Sequence, residues 1–442
     1  MKKFLLLFCF LLLPMIATAG PSIREHLVEE PVFGHRAFIL EAGQSKQPTV
    51  LLVHGLGDLA SGTWEKLIPA LASEYHVLAV DLPGFGRSEK ANELYSPARY
   101  AAFLHWALER YASGPLIVVG HSLGGAVALR YAADYPQDIS RLILVDVAGI
   151  LHRKVVARDL LEPKLSERWP GLFAGPLKKI ENWVGGVITR LPGPPLDLDQ
   201  ILVNEALRAR FLAGDPARIA AIALIQEDFS RTLRQVQAPA ALVWGAEDQV
   251  TPLRTGLLLE SILPRARLQV IPGAGHVPMK DQPRLFSLAF QEALTSPLDQ
   301  TEIPEVGDRT GVCRGQKGMT FSGAYRRLEI TDCREVRLDD VAAEAVSITR
   351  SQVNIEQGQI RGRGLQVIDS SLSATGLRVE GDVALQVAGG QLDLAGVTLI
   401  GQEAAITATK PTTMLFSVSE VQSRKARRFL HGLYTMDADH PM

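Results

Sequence analysis

Between Val32 and about Leu294 the chain alternates short apolar, β-branched runs with longer stretches whose apolar positions recur at helical spacing. The short runs predict strands over residues 37–41, 49–54, 76–81, 116–120, 141–146, 240–245 and 267–271. Runs such as Leu116-Ile117-Val118-Val119 and Leu142-Ile143-Leu144-Val145 have no polar alternate, which suits strands covered on both faces. Strands alternating with helices imply an α/β architecture around a mainly parallel sheet. The rhythm breaks between Gly149 and Val236, where helical stretches such as 217–229 and a proline-rich joint at 191–195 replace strands. An insertion of that size after a strand, about 150–235, is expected to form a helical lid over the carboxyl edge of the sheet.

Past a polar linker at 298–310, which carries Pro304, the period changes. Leu328, Val346, Leu365, Leu385 and Ile406 recur about every 20 residues, each followed two places on by a small or apolar residue: Ile330, Ile348, Val367, Val387 and Ala408. A second set runs in step: Val336 with Leu338, Val353 with Ile355, Leu372 with Ala374 and Leu392 with Leu394. With a third group at Ile360, Leu377 with Val379 and Val397 with Leu399, three short period-two strands per coil predict a β-solenoid over 311–423, in which each coil covers the apolar interior of the next. A β-sandwich with chance spacing is the alternative. The region resembles the right-handed parallel β-helix repeats of carbohydrate-active and surface proteins. Its polar ladder of Gln352, Asn354, Gln357, Gln359, Arg361 and Arg363 suggests a glycan or surface partner, against a plain spacer or dimerisation role. The basic run Arg424, Lys425, Arg427 and Arg428, followed by Phe429 and Leu430, reads as a cap or tail over 424–442, with a lipid-surface contact as the alternative.

The first residues change the picture of compartment. Lys2 and Lys3 precede an apolar run over 4–16 and then Ala17-Thr18-Ala19, the layout of a signal peptide cleaved after Ala19. An uncleaved anchor is the alternative, although the run is shorter than the roughly 20 residues a spanning helix requires. Export, to a periplasm or beyond, removes Cys9 and leaves Cys313 and Cys333 as an even pair where disulfides persist. Their spacing of 20 residues matches one coil, which places them for a bridge. With 46 Lys and Arg against 48 Asp and Glu, the net charge of −2 gives no reason to expect nucleic acid as a partner.

Candidate chemistry sits where predicted strands end. Ser122, in Gly120-His121-Ser122-Leu123-Gly124, follows one buried strand and precedes the helical run 126–135. That is a strand, a sharp turn and a helix, which would raise the serine hydroxyl at the sheet edge and aim the Leu123 N–H at a developing oxyanion. His54-Gly55-Leu56-Gly57 follows another strand and would supply the second oxyanion donor, the N–H of Leu56. A serine hydroxyl needs a base, and the base needs an acid to orient it. His276 in Gly273-Ala274-Gly275-His276 and Asp248 in Gly245-Ala246-Glu247-Asp248 both follow late strands. Asp146 and Glu247 are the rival acids. His121 reads as a packing or lid-contacting residue and His54 as structural. His152, His431 and His440 lack companions at metal-ligand spacing, so no metal is expected, and no other cofactor.

These landmarks, with Asp81-Leu82-Pro83-Gly84-Phe85-Gly86-Arg87-Ser88 after the third strand, resemble the lid-bearing, H-G-x-G branch of the α/β-hydrolase superfamily over about 32–294, within a domain at 22–297. The resemblance implies a serine hydrolase of the esterase and lipase kind, acting on small-molecule or lipid esters through an acyl-Ser122 intermediate. An esterase delivered to a polysaccharide by its solenoid, and carbon–carbon bond hydrolysis on the same fold, are the alternatives. Trp169, Leu172, Phe173, Trp183, Val184, Val187, Ile188, Phe211, Leu224 and Phe229 are candidates to line an apolar pocket under the lid.

Overall fold

Each predicted strand of the first half forms in the computed structural model, which describes residues 22–57, 59–152, 154, 197–298 and 305–438. The strands are β1 (Ile23–Glu29), β2 (Arg36–Ala42), β3 (Thr49–Val53), β4 (His76–Asp81), β5 (Leu116–His121), β6 (Ile139–Val145), β7 (Ala240–Gly245) and β8 (Ala266–Ile271). They form one sheet in the order β1-β2-β4-β3-β5-β6-β7-β8, with β3 through β8 parallel and β1 and β2 antiparallel. β3, β4, β5 and β7 are buried along their whole length, which is why their sequences show no polar alternation. β1 was not legible as a strand. Its sequence, IREHLVE, mixes charge with apolar residues because it is an edge strand with Ile23 and Leu27 half exposed.

Five principal helices accompany this sheet: α1 (Pro97–Tyr111), α2 (Leu123–Asp134), α3 (Pro216–Gln226), α4 (Leu253–Ile262) and α5 (Pro283–Thr295). Local chemistry sets their starts. Ser96 caps α1 by accepting the Arg99 N–H, ahead of Pro97 at the first helical position, and Asp215 caps α3 by accepting the Arg218 N–H. Most of the expected lid, residues 155–196, lies outside the described residues, as do Trp169, Leu172, Phe173, Trp183, Val184, Val187 and Ile188. Of the other pocket-lining candidates, Leu224 and Phe229 belong to the main apolar core and Phe211 is exposed. The expected signal segment, residues 1–19, also lies outside the described residues. Among the described residues no helix is long and apolar enough to cross a membrane.

The second half is a β-rich sheet of seven strands: β9 (Thr310–Arg314), β10 (Thr320–Thr331), β11 (Val336–Thr349), β12 (Gln352–Ala395), β13 (Thr398–Ala408), β14 (Thr412–Gln422) and β15 (Arg427–Met436). β9 to β14 pair in parallel, and paired residues stand 17 to 22 positions apart in the chain. Leu328 pairs with Val346 and Val346 with Leu365, while Ile330 pairs with Ile348 and Ile348 with Val367, all of them buried. Within the segment expected as a cap or tail lies β15, antiparallel to β14. Cys313 and Cys333 are joined in a disulfide, with Cα atoms 6.5 Å apart.

Candidate active site

Five parallel strands end side by side, and the residue or loop after each carries one part of the site: Gly55-Leu56 after β3, Ser122 after β5, Asp146 after β6, Asp248 after β7 and His276 after β8. A crevice outside the carboxyl ends of parallel strands is where α/β sheets bind ligands.

Ser122 has φ 54° and ψ −117°, a left-handed conformation that costs free energy in any residue with a Cβ. The surroundings hold it there. Its N–H donates to the Val145 carbonyl at 3.0 Å, and its own carbonyl accepts from Gly125 at 3.1 Å. The two glycines of the motif permit the close approach: a Cβ on Gly124 would stand 2.3 Å from the Val53 carbonyl oxygen, and one on Gly120 would stand 2.3 Å from that of Gly124. Leu123 opens α2 directly after Ser122, so its N–H belongs to the unpaired first turn of a helix, where partial positive charge collects. Gly55 lies against Ser122, close enough that a Cβ there would stand 2.8 Å from the serine Cβ, which brings the Leu56 loop to the same place.

His276 bridges the other two groups. Its Nε2 is 3.0 Å from Ser122 Oγ and its Nδ1 is 2.8 Å from Asp248 Oδ2. Asp248 is buried and held from several sides: Oδ1 accepts the N–H groups of Val250 at 2.8 Å and Thr251 at 2.9 Å, and Oδ2 accepts the Thr251 hydroxyl at 2.5 Å. Burial pushes this carboxyl up, but the His276 charge and the hydrogen bonds from His276 and Thr251 together outweigh it and hold Asp248 below its ordinary value. An ionised Asp248 therefore fixes the tautomer of His276, with Nδ1–H donating to the acid and Nε2 free to accept from the serine.

The rival acids are placed differently. Asp146 is fully buried, and its Oδ1 accepts the Gly245 N–H at 2.9 Å. Burial first, and then the Asp248 charge, raise its carboxyl well above the usual range, the opposite direction to Asp248. Glu247 is exposed, and its N–H donates to Ala274.

Two contributors were missed in the sequence. Thr251 carries no signal there, because its position becomes informative only when the loop closes on Asp248. His121 is more than packing: its Nε2–H donates to the His276 carbonyl at 2.7 Å and its ring lies 5.0 Å from that of His276. Burial, then the His276 charge, push His121 down to about 3, so it stays neutral and holds the histidine loop. His54 donates from Nδ1 to the Gly55 carbonyl at 2.7 Å and accepts the Leu82 N–H on Nε2 at 2.9 Å, and burial lowers its pKa. Among the described residues no group of three or more His, Cys, Asp or Glu is placed to hold a metal ion.

Part of the polar ladder of the second half is engaged within the chain. Gln357 donates to Glu260 of α4 at 2.9 Å, Gln359 is buried, Asn354 donates to Glu356 and Arg363 pairs with Glu344. Gln352, Arg361 and Arg363 remain exposed.

A family model described as the alpha/beta hydrolase fold matches residues 48–283. A pimeloyl-[acyl-carrier protein] methyl ester esterase of Chromobacterium violaceum is 31% identical over 265 residues, covering 58% of this chain and 97% of its own. Lipase 1 of Psychrobacter immobilis is 29% identical over 251 residues, covering 56% of this chain and 76% of its own. An uncharacterized Mycobacterium bovis protein, Mb2734, is 29% identical over 329 residues, covering 70% of this chain and 92% of its own.

Proposed function

The chain belongs to the alpha/beta hydrolase fold family, and from that premise we propose that it is an exported serine hydrolase that cleaves carboxylic esters through an acyl-Ser122 intermediate. The observation that carries this is the continuous chain of hydrogen bonds from Asp248 through His276 to Ser122, at 2.8 and 3.0 Å, ending on a serine in a strained turn. His276 Nε2 takes the hydroxyl proton as Ser122 Oγ bonds to the ester carbonyl carbon, and the N–H groups of Leu56 and Leu123 hold the resulting oxyanion. Collapse breaks the carbon–oxygen bond to the alcohol, which leaves with the proton from His276. Water, deprotonated by the same nitrogen, then releases the acid and restores Ser122. Asp248 remains ionised throughout and stabilises the imidazolium formed in both halves of the cycle.

An esterase and a lipase among the relatives support a small-molecule or lipid ester as substrate. The basic start of the sequence, its short apolar run and the Cys313–Cys333 bridge support export. We read the parallel register of the second half as successive coils of a right-handed β-helix, and the helical segment around α3 as the base of a lid. The test is hydrolysis of p-nitrophenyl acyl esters of graded chain length. Ser122→Ala is expected to lower kcat by a factor on the order of 10⁴ or more while the fold is retained. Undiminished turnover in that variant refutes the mechanism.

A further inference from the structure

The carboxylate of Asp248 is held by the residues that lead straight into α4. Its ligands are the N–H groups of Val250 and Thr251 and the Thr251 hydroxyl; Pro252 then opens the helix, its carbonyl accepting the Thr255 N–H at 2.7 Å. Where the front of α4 lies therefore decides where Asp248 points.

That front is fastened to the second half of the molecule. Arg254, in the first turn of α4, donates from Nη1 and Nη2 to the two oxygens of Asp393 at 2.8 and 3.0 Å, and from Nε to Thr375 Oγ1 at 2.7 Å. Nη2 also reaches the carbonyls of Ala374 and Asp393, both at 3.2 Å. Arg254 and Asp393 keep only 17% and 9% of their side-chain surface exposed, so the pair is shielded from water and from salt. A cation in the first turn opposes the helix dipole. Its presence there is explained by the partner across the interface and not by the helix.

The rest of α4 is seated on the same surface. A Cβ on Gly376 would stand 2.6 Å from that of Ser261, and one on Gly396 would stand 3.0 Å from Leu258 Cγ, so the helix comes close to the β half at these two glycines. Glu260 accepts Gln357 Nε2 through one oxygen and the Leu268 N–H through the other, which ties α4 at once to β12 and to β8.

We propose that the C-terminal β region is a structural part of the catalytic apparatus, in which Arg254, clamped by Asp393 and Thr375, is a positioning residue that sets the Thr251–Asp248 loop and through it His276. The proposal rests on the esterase reading above, and its test separates the two.

In the full-length chain, Arg254→Met is expected to lower kcat roughly tenfold or more, with KM changed less than about twofold, because the acid is misplaced while the ester-binding crevice is kept. Asp393→Leu should do the same, and the double variant should fall no further than the worse single one. The control is Arg234→Met, which removes a second ion pair between the halves, Arg234 Nε to Glu420 Oε2 at 2.6 Å, without adjoining the Asp248 loop. It should lower Tm and leave kcat unchanged. Thr375→Val, nearly isosteric, removes one bond to Arg254 and should lower kcat about two- to fivefold with the fold intact; it decides the matter should Arg254→Met fail to fold. A folded Arg254→Met or Thr375→Val with wild-type kcat overturns the proposal, as does an equal kcat loss in Arg234→Met. Hydrogen exchange gives a second readout that needs no turnover: the Val250 and Thr251 amides should lose protection in Arg254→Met and keep it in Arg234→Met. If wild-type turnover survives Ser122→Ala, the esterase reading fails, and amide protection alone then judges the clamp.

Discussion

The two halves of the molecule use left-handed backbone in opposite ways. In the α/β half, Ser122 (φ 54°) and Asp146 (φ 43°) end adjacent parallel strands, and each faces a titratable partner. In the β half, Asp332, Arg350 and Asp369 have φ of 55°, 46° and 46° and recur 18 and 19 residues apart. They mark one corner, taken in successive turns of the chain. The Asp332 N–H donates to Thr349 and that of Arg350 to Ile368, and the Arg350 guanidinium grips Asp332 at 2.7 and 2.8 Å. Just after the corner runs a buried column in which the Cys333 N–H donates to Ser351 Oγ and the Ser351 N–H to Ser370 Oγ. Strain that repeats with the register is architecture, because every copy is supported by the next. Strain that occurs once, at a strand end beside ionisable groups, is supported by many different neighbours and points to chemistry. Ala60, Ala213 and Arg265 share the positive φ but lie in loops or at a helix end, so position and company matter as much as the angle.

The most severe way to break this contrast is to exchange the two acids beside the strained turns. Asp248→Asn is expected to lower kcat by about 10³- to 10⁴-fold, since an amide no longer holds His276 in the tautomer that accepts the serine proton. Asp146→Asn keeps the shape of the side chain and its acceptor for the Gly245 N–H, in a residue that makes no hydrogen bond to His276, and should cost less than about tenfold. Steady-state kinetics on a p-nitrophenyl ester check both. The reverse order would make Asp146 the working acid and Asp248 its support.

How much of this was legible depends on whether a signal is local. The nucleophile turn, the strand ends and the order of Ser122, Asp248 and His276 could be read because each occupies a few adjacent residues with distinctive glycines. The apolar columns of the second half could be read because a period of about 20 residues repeats Leu328 as Val346 and Leu365, which the register then pairs. Edge strand β1 was hidden by its charged, half-exposed sequence. The His121 bond to the His276 carbonyl and the Arg254–Asp393 clamp join residues 155 and 139 positions apart, with nothing in either segment to announce the other. The same holds for Gln357: its place in a polar ladder suggests solvent, whereas its amide meets Glu260.

Architecture built on repetition should fail by degrees and leave the chemistry alone. Cys313 and Cys333 close a loop with a sequence separation of 20, near the first strand of the β half and apart from the Arg254 clamp. Removing the bridge with Cys313→Ser and Cys333→Ser should cost about 3 kcal/mol of stability, read by denaturant unfolding, with kcat unchanged below the transition. Ser351→Ala removes one link of the buried column, which both accepts the Cys333 N–H and donates to Thr349, and should cost about 1–2 kcal/mol by the same measurement. A loss of kcat in either variant at temperatures where it is folded would mean that the far corner of the β half also reaches the site.

The smallest effect concerns the joint between the halves. Glu420 on β14 is buried and accepts Arg234 Nε at 2.6 Å and Arg427 Nε at 2.5 Å. Burial pushes its carboxyl up, but the hydrogen bonds from Arg427 and Arg234, with their charges, outweigh burial and hold it below its ordinary value. A carboxyl depressed in the folded state contributes stability that is present above its unfolded pKa, about 4.3, and is lost as the pH falls through the lower folded value. Glu420→Gln should therefore be less stable than wild type by about 1 kcal/mol near neutrality. That gap should shrink as the pH drops below about 4.3, because the wild-type carboxyl then becomes protonated like the amide that replaced it. Tm measured for both proteins across that range checks the sign. Parallel curves would mean that Glu420 carries no net charge in the joint, and that the halves are held by the Arg254 clamp and by apolar packing around Ala395 and Val418.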